Sequence, residues 1–217
     1  MTIHHLETSN SILNKFISEI RDTTIQKDSL RFRRNIERIG EVLGYELSKK
    51  LSYSNKEICT PLGIKNMQIS NSEIVLCSIL RAGLPLHQGL LNYFDDAENA
   101  FISAYRHHPN NNAEFEIVVE YFASPNIENK VLLLADPMLA TGQSLVAVLD
   151  GIKKHGTPIE IHIVCVIGST EGIDFIKNHF PENTQLWIAA IDDTLNDHGY
   201  IIPGLGDAGD LAFGAKL

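Results

Sequence analysis

The sequence predicts an α/β protein with a doubly wound, mostly parallel sheet, and three observations carry that prediction. From Glu73 onward, short runs rich in β-branched and aromatic residues recur: EIVLCSIL, AFISAY, FEIVVEYF, VLLLA, IEIHIVCVI and QLWIAAI. Between several of them lie stretches with helical periodicity, and strands alternating with helices of about ten residues imply βαβ units covered on both faces. The length of 217 residues suits one such domain with a full core. The expectation is a single domain over residues 1–217.

The elements follow in order. Residues 1–55 read as helical: Ile12, Leu13, Phe16, Ile17 and Ile20 keep a helical period, as do Ile36, Ile39, Leu43 and Leu47. Helical patterns recur in LPLHQGLLNYF, in Leu145, Val148, Leu149 and Ile152 closed by Gly156, and in EGIDFIKNHF. Two regions break the alternation. Residues 107–125 read as a β-hairpin arm around an Asn-rich turn, and a glycine-rich tail covers 192–217.

Composition narrows the function classes. With 44% hydrophobic and 21% charged residues the chain is an ordinary globular sequence. Its net charge of -9 argues against a broad nucleic-acid or membrane-surface footprint, so any phosphate must be held locally. Cys59, Cys77 and Cys165 form neither a disulfide framework nor a metal-ligand spacing and read as buried reduced thiols. The opening MTIHHLETSN lacks the basic and apolar regions of a secretory leader, and no apolar run approaches the roughly 20 residues that span a bilayer. A cytoplasmic protein is expected.

The stretch LLLADPMLATGQS, Leu132 to Ser144, carries the chemistry. Ligands of open parallel sheets bind beyond the carboxyl ends of the strands, and Asp136 falls at such an end. Pro137, with no N–H and a fixed φ, should end the ladder and turn the chain out of the sheet. Thr141, Gly142, Gln143 and Ser144 then open a helix with hydroxyls and free amides around a glycine, which makes a cradle for a monophosphate. The absence of Gly-Lys-Ser/Thr separates it from a Walker loop. The same residues would equally serve as a helix cap, through Thr141 or Ser144, and a turn former, through Asp136.

DPMLATGQS resembles the phosphoribosyl diphosphate loop of type I phosphoribosyltransferases, and its Asp-Pro-Met-Leu-Ala-Thr-Gly form is similar to that of uracil phosphoribosyltransferases in particular. SILRAGLPLHQG and, most specifically, HGYIIPGLGDAGDLAFG agree with that family; weaker similarity reaches back to LRFRRNIERIG. The resemblance implies transfer of a phosphoribosyl group from 5-phosphoribosyl diphosphate to uracil, giving UMP and diphosphate, with Mg²⁺ carried by the sugar substrate. It implies that Arg81 and Arg106 meet the diphosphate, with unusual backbone near Arg81. Asp136 would hold the ribose hydroxyls, and the segment Pro137, Met138, Leu139, Ala140, Thr141, Gly142, Gln143 and Ser144 the 5-phosphate. Ile201, Gly206 and Ala208 would read uracil through the backbone. Asp207 would face the phosphoribosyl substrate or its Mg²⁺ and is the first candidate for a general base, Asp210 the second.

Some features depart from the family pattern. Gln143 stands where a second glycine is usual, the 107–125 arm lacks the acidic, proline-containing pattern, and Leu211 replaces a common basic residue. His107 and His108 read as solvated or structural, and His198 as ordering its loop. Family members form homodimers or homotetramers, with the arm a plausible contact; GTP activation is not readable from any residue. A transferase for another base, or a non-catalytic sensor of phosphoribosyl diphosphate, remains an alternative.

Overall fold

The computed structural model describes the backbone of residues 1–107 and 116–216 and the side chains of 1–103 and 121–216. A short strand β1 (Thr2–His5) precedes helices α1 (Leu13–Arg21) and α2 (Ser29–Ser48), followed by an antiparallel hairpin of β2 (Tyr53–Thr60) and β3 (Gly63–Ser70). Next come β4 (Ile74–Leu80), α3 (Leu84–Leu91), β5 (Glu98–His107) and β6 (Glu116–Ala123). The chain continues through β7 (Val131–Ala135), the two-residue β8 (Met138–Leu139), α4 (Gln143–Ile152), β9 (Glu160–Ser169), α5 (Thr170–His179) and β10 (Gln185–Asp192). The tail holds β11 (Thr194–Leu195), β12 (Ile201–Ile202) and α6 (Ala208–Phe213).

The central sheet has the order β1-β10-β9-β7-β4-β5-β6, with β8 paired to β9. Every pairing is parallel except β5 with β6. Alternation along each strand builds a core on both faces. Leu132 and Leu134 of β7 join one apolar layer with Leu145, Val148 and Leu149 of α4 and Ile173 and Ile176 of α5. Leu133 and Ala135 face the other, against Ile36, Ile39 and Leu43 of α2 and Leu86 and Leu90 of α3. Burial of each such side chain contributes roughly 1.5–3 kcal/mol relative to exposure, so these two layers dominate the stability of the sheet.

The strand order reverses between β4 and β7. From β4 the chain moves through α3 to β5 and β6 on one side; β7 lies on the other side of β4 and leads outward through β9 to β10. The loops after β4 and β7 therefore diverge and leave a crevice at the carboxyl edge of the sheet.

Three expectations need correction. Residues 1–55 are not all helical, because β1 pairs along the edge of β10 and β2 begins at Tyr53. MTIHH is too short to display a period, and lysine, asparagine and glutamate interrupt the apolar residues of the hairpin. The hairpin arm is also longer than its sequence pattern suggests: β5 and β6 pair from Phe101 and Ala123 outward, with a register irregularity at Ser103/Ala104. Its expected Asn-rich turn lies outside the described residues, as does His108. Finally, Cys77 and Cys165 are buried, with burial pushing the Cys77 thiol up to about 12 and that of Cys165 in the same direction, but Cys59 is exposed on β2.

Edge strand β1 is anchored by rings. His4 stacks on Trp187 with centroids 3.8 Å apart, and Trp187 Nε1 donates to His162 Nδ1 at 3.0 Å. His162 Nε2 faces Glu160 at 3.2 Å. Burial holds the His162 imidazole below its ordinary value of 6.5 despite Glu160, and burial shifts His87 the same way. Each therefore takes up its proton at lower pH when folded than when unfolded, so the unfolded chain binds more protons as pH falls through 6.5, and stability present above that value declines below it. Urea midpoints should therefore fall between about pH 7.5 and about pH 5.5. A His162→Gln chain should lose part of that slope, and identical slopes in both chains would refute the assignment.

Candidate active site

The phosphate-loop segment begins where β7 stops. Asp136 is buried, its amide donates to Val164 O at 3.1 Å, and its Oδ1 accepts the Met138 amide at 3.1 Å. Pro137 does end β7, but the chain does not leave the sheet there. Its carbonyl accepts the amides of Val166 and Ile167 at 3.1 and 3.0 Å, and Met138–Leu139 pair again with Ile167–Gly168 as β8. Proline costs the ladder one donor only, so an edge can re-form one residue later. A recess follows, lined by Asp136, Met138, Leu139, Ala140, Thr141, Gly142, Ser144 and Leu145. Gly142 is the N-cap of α4 with φ +77°, a left-handed turn that aims the first amides of the helix at this recess. Gln143 is exposed and is not part of the lining, so its bulk does not narrow the loop.

Sequence reasoning missed the support behind the loop. Ser169 Oγ donates to Ala140 O at 2.6 Å and accepts the Gly172 amide at 2.9 Å, so the N-cap of α5 also fixes the 136–144 segment. A Cβ on Gly172 would lie 2.1 Å from Ala140 O, which explains why the backbone of α5 can seat so closely. The only sequence-level sign is a serine before a helical run, a pattern shared with ordinary helix caps.

Arg81 follows β4, and the Leu80–Arg81 peptide bond is cis. Gly83 closes this loop against β7: a Cβ there would lie 3.2 Å from Ala135 O and 2.6 Å from Ile79 O. Arg81 Nη2 donates to Asp210 Oδ1 at 2.7 Å, while its Nε is buried without a hydrogen-bond partner among the described residues. Arg106 lies in β5 opposite Ile117; its side chain is outside the described set.

The tail is fixed from several sides. β11 and β12 pair around a turn in which Asn196 Oδ1 accepts the amides of His198 and Tyr200 at 3.0 and 2.9 Å. Ile201, Leu205, Ala208 and Ala212 insert their side chains into the α2-side core layer, against which Met138 and Ala140 also pack. Gly206, by contrast, is exposed with φ +93°, and a Cβ there would meet nothing. Asp207 caps α6, its Oδ1 accepting the Asp210 amide at 2.9 Å. Arg33 Nη1 donates to Ala212 O at 2.6 Å and holds the far end of α6.

The structure thus brings together Arg81, Asp207 and Asp210 directly, and sets the Asp136–Ser144 segment beside them through the Gly83–Ala135 approach. Fold and loops define the class: a doubly wound α/β protein with its tail laid over the switch point of the sheet. Comparison with known proteins narrows this. The family model for uracil phosphoribosyltransferase matches residues 7–215. A uracil phosphoribosyltransferase of Porphyromonas gingivalis is 52% identical over 217 residues and 100% of both chains. Another, from Pyrococcus furiosus, is 39% identical over 99% of this chain and 91% of its own length. Among solved structures, the AQ2163 protein from Aquifex aeolicus superimposes with a TM-score of 0.87 at 32% identity, covering 100% of both chains. The chain belongs to the uracil phosphoribosyltransferase family.

Gly172→Ala tests the buttress. The added methyl must displace Ala140 or α5, so unfolding stability should fall by about 1–3 kcal/mol. Wild-type stability in urea would show that the phosphate segment is not seated on α5.

Proposed function

We propose that this chain is a uracil phosphoribosyltransferase of pyrimidine salvage, converting uracil and 5-phosphoribosyl diphosphate to UMP and diphosphate. The observation that carries the reading is the meeting of the IIPGLGDAGD tail with the Arg81 loop at the switch point, in a chain whose family match spans 7–215. The reading carries a cytoplasmic location; among the described residues no helix is long and apolar enough to cross a membrane.

Chemistry assigns the parts. As diphosphate departs, ribose C1 gains oxocarbenium character, and uracil is the nucleophile, so the protein must neutralise the leaving group and exclude water. Arg81 and Arg106 meet the diphosphate, for which a planar guanidinium offers paired donors. The unpartnered Arg81 Nε supports this role. Asp136 binds the ribose hydroxyls, and Pro137 to Ser144 enclose the 5-phosphate. Uracil lies against the exposed backbone of Gly206, read also by main-chain groups of Ile201 and Ala208, whose buried side chains leave only backbone for the base. Cytosine would reverse donor and acceptor on one edge, leaving groups unpaired at about 1–3 kcal/mol each.

The donor set also fits Mg²⁺ carried by the sugar diphosphate. No group of three metal-binding side chains occurs among the described residues, while Mg²⁺ at phosphate sites takes one or two carboxylates plus substrate oxygens, and Asp207 and Asp210 stand beside Arg81. Bound there, the ion would offset charge on the departing diphosphate; Asp207 is its nearest protein ligand in this reading.

One assay tests the function: purified protein with phosphoribosyl diphosphate, Mg²⁺ and a panel of uracil, cytosine, orotate, hypoxanthine and adenine. Turnover should be confined to uracil. In the same assay Asp207→Asn should lower turnover about a hundredfold. Because asparagine also caps helices well, stability should stay within about 0.5 kcal/mol. Turnover of another base, or tight sugar-diphosphate binding without product, would overturn the assignment.

A homo-oligomer completes the reading, and the β2–β3 hairpin supports it. Among the described residues no hairpin side chain is buried: Leu62 is fully exposed, and Ile64, Met67 and Ile69 are exposed beside it. A lone two-stranded hairpin is marginal in water, so a second copy of the chain is its proposed cover. Met67→Glu with Ile69→Glu should dissociate the assembly in sedimentation experiments; an unchanged mass would remove the hairpin from the interface.

A further inference from the structure

The base-binding hood is held by a contact that lies outside every residue assigned so far. Gly204, between the Ile202–Pro203 bond and the exposed Gly206, is gripped at both backbone groups. Its amide donates to Asp192 Oδ2 at 2.8 Å, and its carbonyl accepts Arg21 Nη1 at 3.0 Å. Arg21 and Asp192 are themselves joined by two bonds, Nη1 to Oδ2 at 2.8 Å and Nη2 to Oδ1 at 2.9 Å. One guanidinium, one carboxylate and the N–H and C=O of one glycine thus close a ring of four hydrogen bonds, with the Asp192 side chain only 8% exposed and that of Arg21 22% exposed.

Each member is independently fixed. Asp192 is the last residue of β10 and is registered opposite Ser169, the residue that also supports the phosphate segment. Arg21 ends α1, where its backbone carbonyl accepts Gln26 Nε2 at 3.0 Å and its cationic side chain complements the helix terminus. Gly204 has φ +60°, and a Cβ there would fall 2.0 Å from Ile201 O, so the hood folds back tightly on itself at this residue. The ring ties this fold directly to the sheet edge.

We infer that Arg21 and Asp192 are positioning residues for the base pocket, setting the height of the Gly204–Asp207 backbone above the switch point without touching either substrate. The inference rests on the reading of that backbone as the uracil site. Only a forked, planar cation can bond both carboxylate oxygens while reaching Gly204 O. A lysine keeps the charge and loses the fork. Displacement of a substrate-positioning backbone by an ångström is enough to change rates strongly, even when the substituted residue is distant from the chemistry.

The test compares Arg21→Lys, Asp192→Asn and a control, Glu19→Gln. Glu19 lies on the same helix in a comparable ion pair, with Arg31, but its bonds go to α2 rather than to the hood. Arg21→Lys and Asp192→Asn should raise the KM for uracil about tenfold, with the KM for phosphoribosyl diphosphate nearly unchanged. Glu19→Gln should lower the unfolding midpoint without moving the ratio of the two KM values. Amide hydrogen exchange supplies a readout that needs no turnover: Gly204–Asp207 amides should exchange faster in Arg21→Lys and remain as in wild type in Glu19→Gln. Wild-type exchange and an unshifted KM ratio in both hood variants would overturn the positioning role. Faster exchange in a protein that fails to turn over uracil even as wild type would uphold the ring and sink the functional reading instead. An Arg21→Lys chain that does not fold leaves Asp192→Asn to decide, because asparagine retains an acceptor for the Gly204 amide.

Discussion

The reversal of strand order between β4 and β7 is the constraint on which the site depends. Parallel strands deliver their following loops to one edge, and only at a reversal do two neighbouring loops turn away from each other and leave room for a ligand. Arg81 leaves from one side of that gap and Asp136 from the other, because β4 and β7 pair in register from Ile74/Val131 to Ser78/Ala135. The tail then has to reach the same gap from β10, two strands beyond β7. It does so by inserting Ile201, Leu205 and Ala208 into the core layer that also takes Met138 and Ala140, so that hydrophobic packing carries the tail to the polar parts of the site.

On the proposed reading, a site that holds an anion at one end and a flat ring at the other needs two loops that do not drift independently. The 136–144 segment is braced by Ser169 and Gly172, the tail by Arg21 and Asp192, and Ser169 and Asp192 are register partners on adjacent strands β9 and β10. Both braces therefore originate from one short length of sheet edge. Rigid strands, rather than the loops themselves, set the separation of these two loops.

The alternation of strands and helices after Glu73 was legible because each element is long enough to show its period and because its faces meet a core. What escaped was short or polar. β1 has four residues and is held by pairing with β10 and by the His4–Trp187 stack, neither of which a local window contains. Among the described residues the β2–β3 hairpin has no buried face, hence no clean alternation to read. In the site, DPMLATGQS and IIPGLGDAGD stood out because glycines and an Asp-Pro step are costly to place without reason. Arg21, Asp192, Ser169 and Gly172 did not, since their contacts join residues far apart in sequence, as the 171 positions between Arg21 and Asp192 illustrate. Gln143 taught the reverse lesson: a substitution inside a recognisable motif has little effect on the cavity when its side chain points to solvent.

The four residues of β1 also have a protective consequence. Without them β10, whose QLWIAAI run is almost wholly buried, would present an unpaired apolar rim. Such a rim is a template for strand-by-strand stacking of separate molecules. β1 replaces it with a border containing two histidines, short and poorly suited to recruit another chain. These four residues are thus the sheet's insulation against self-association through its margin, a duty unrelated to the chemistry at the opposite end of the strands.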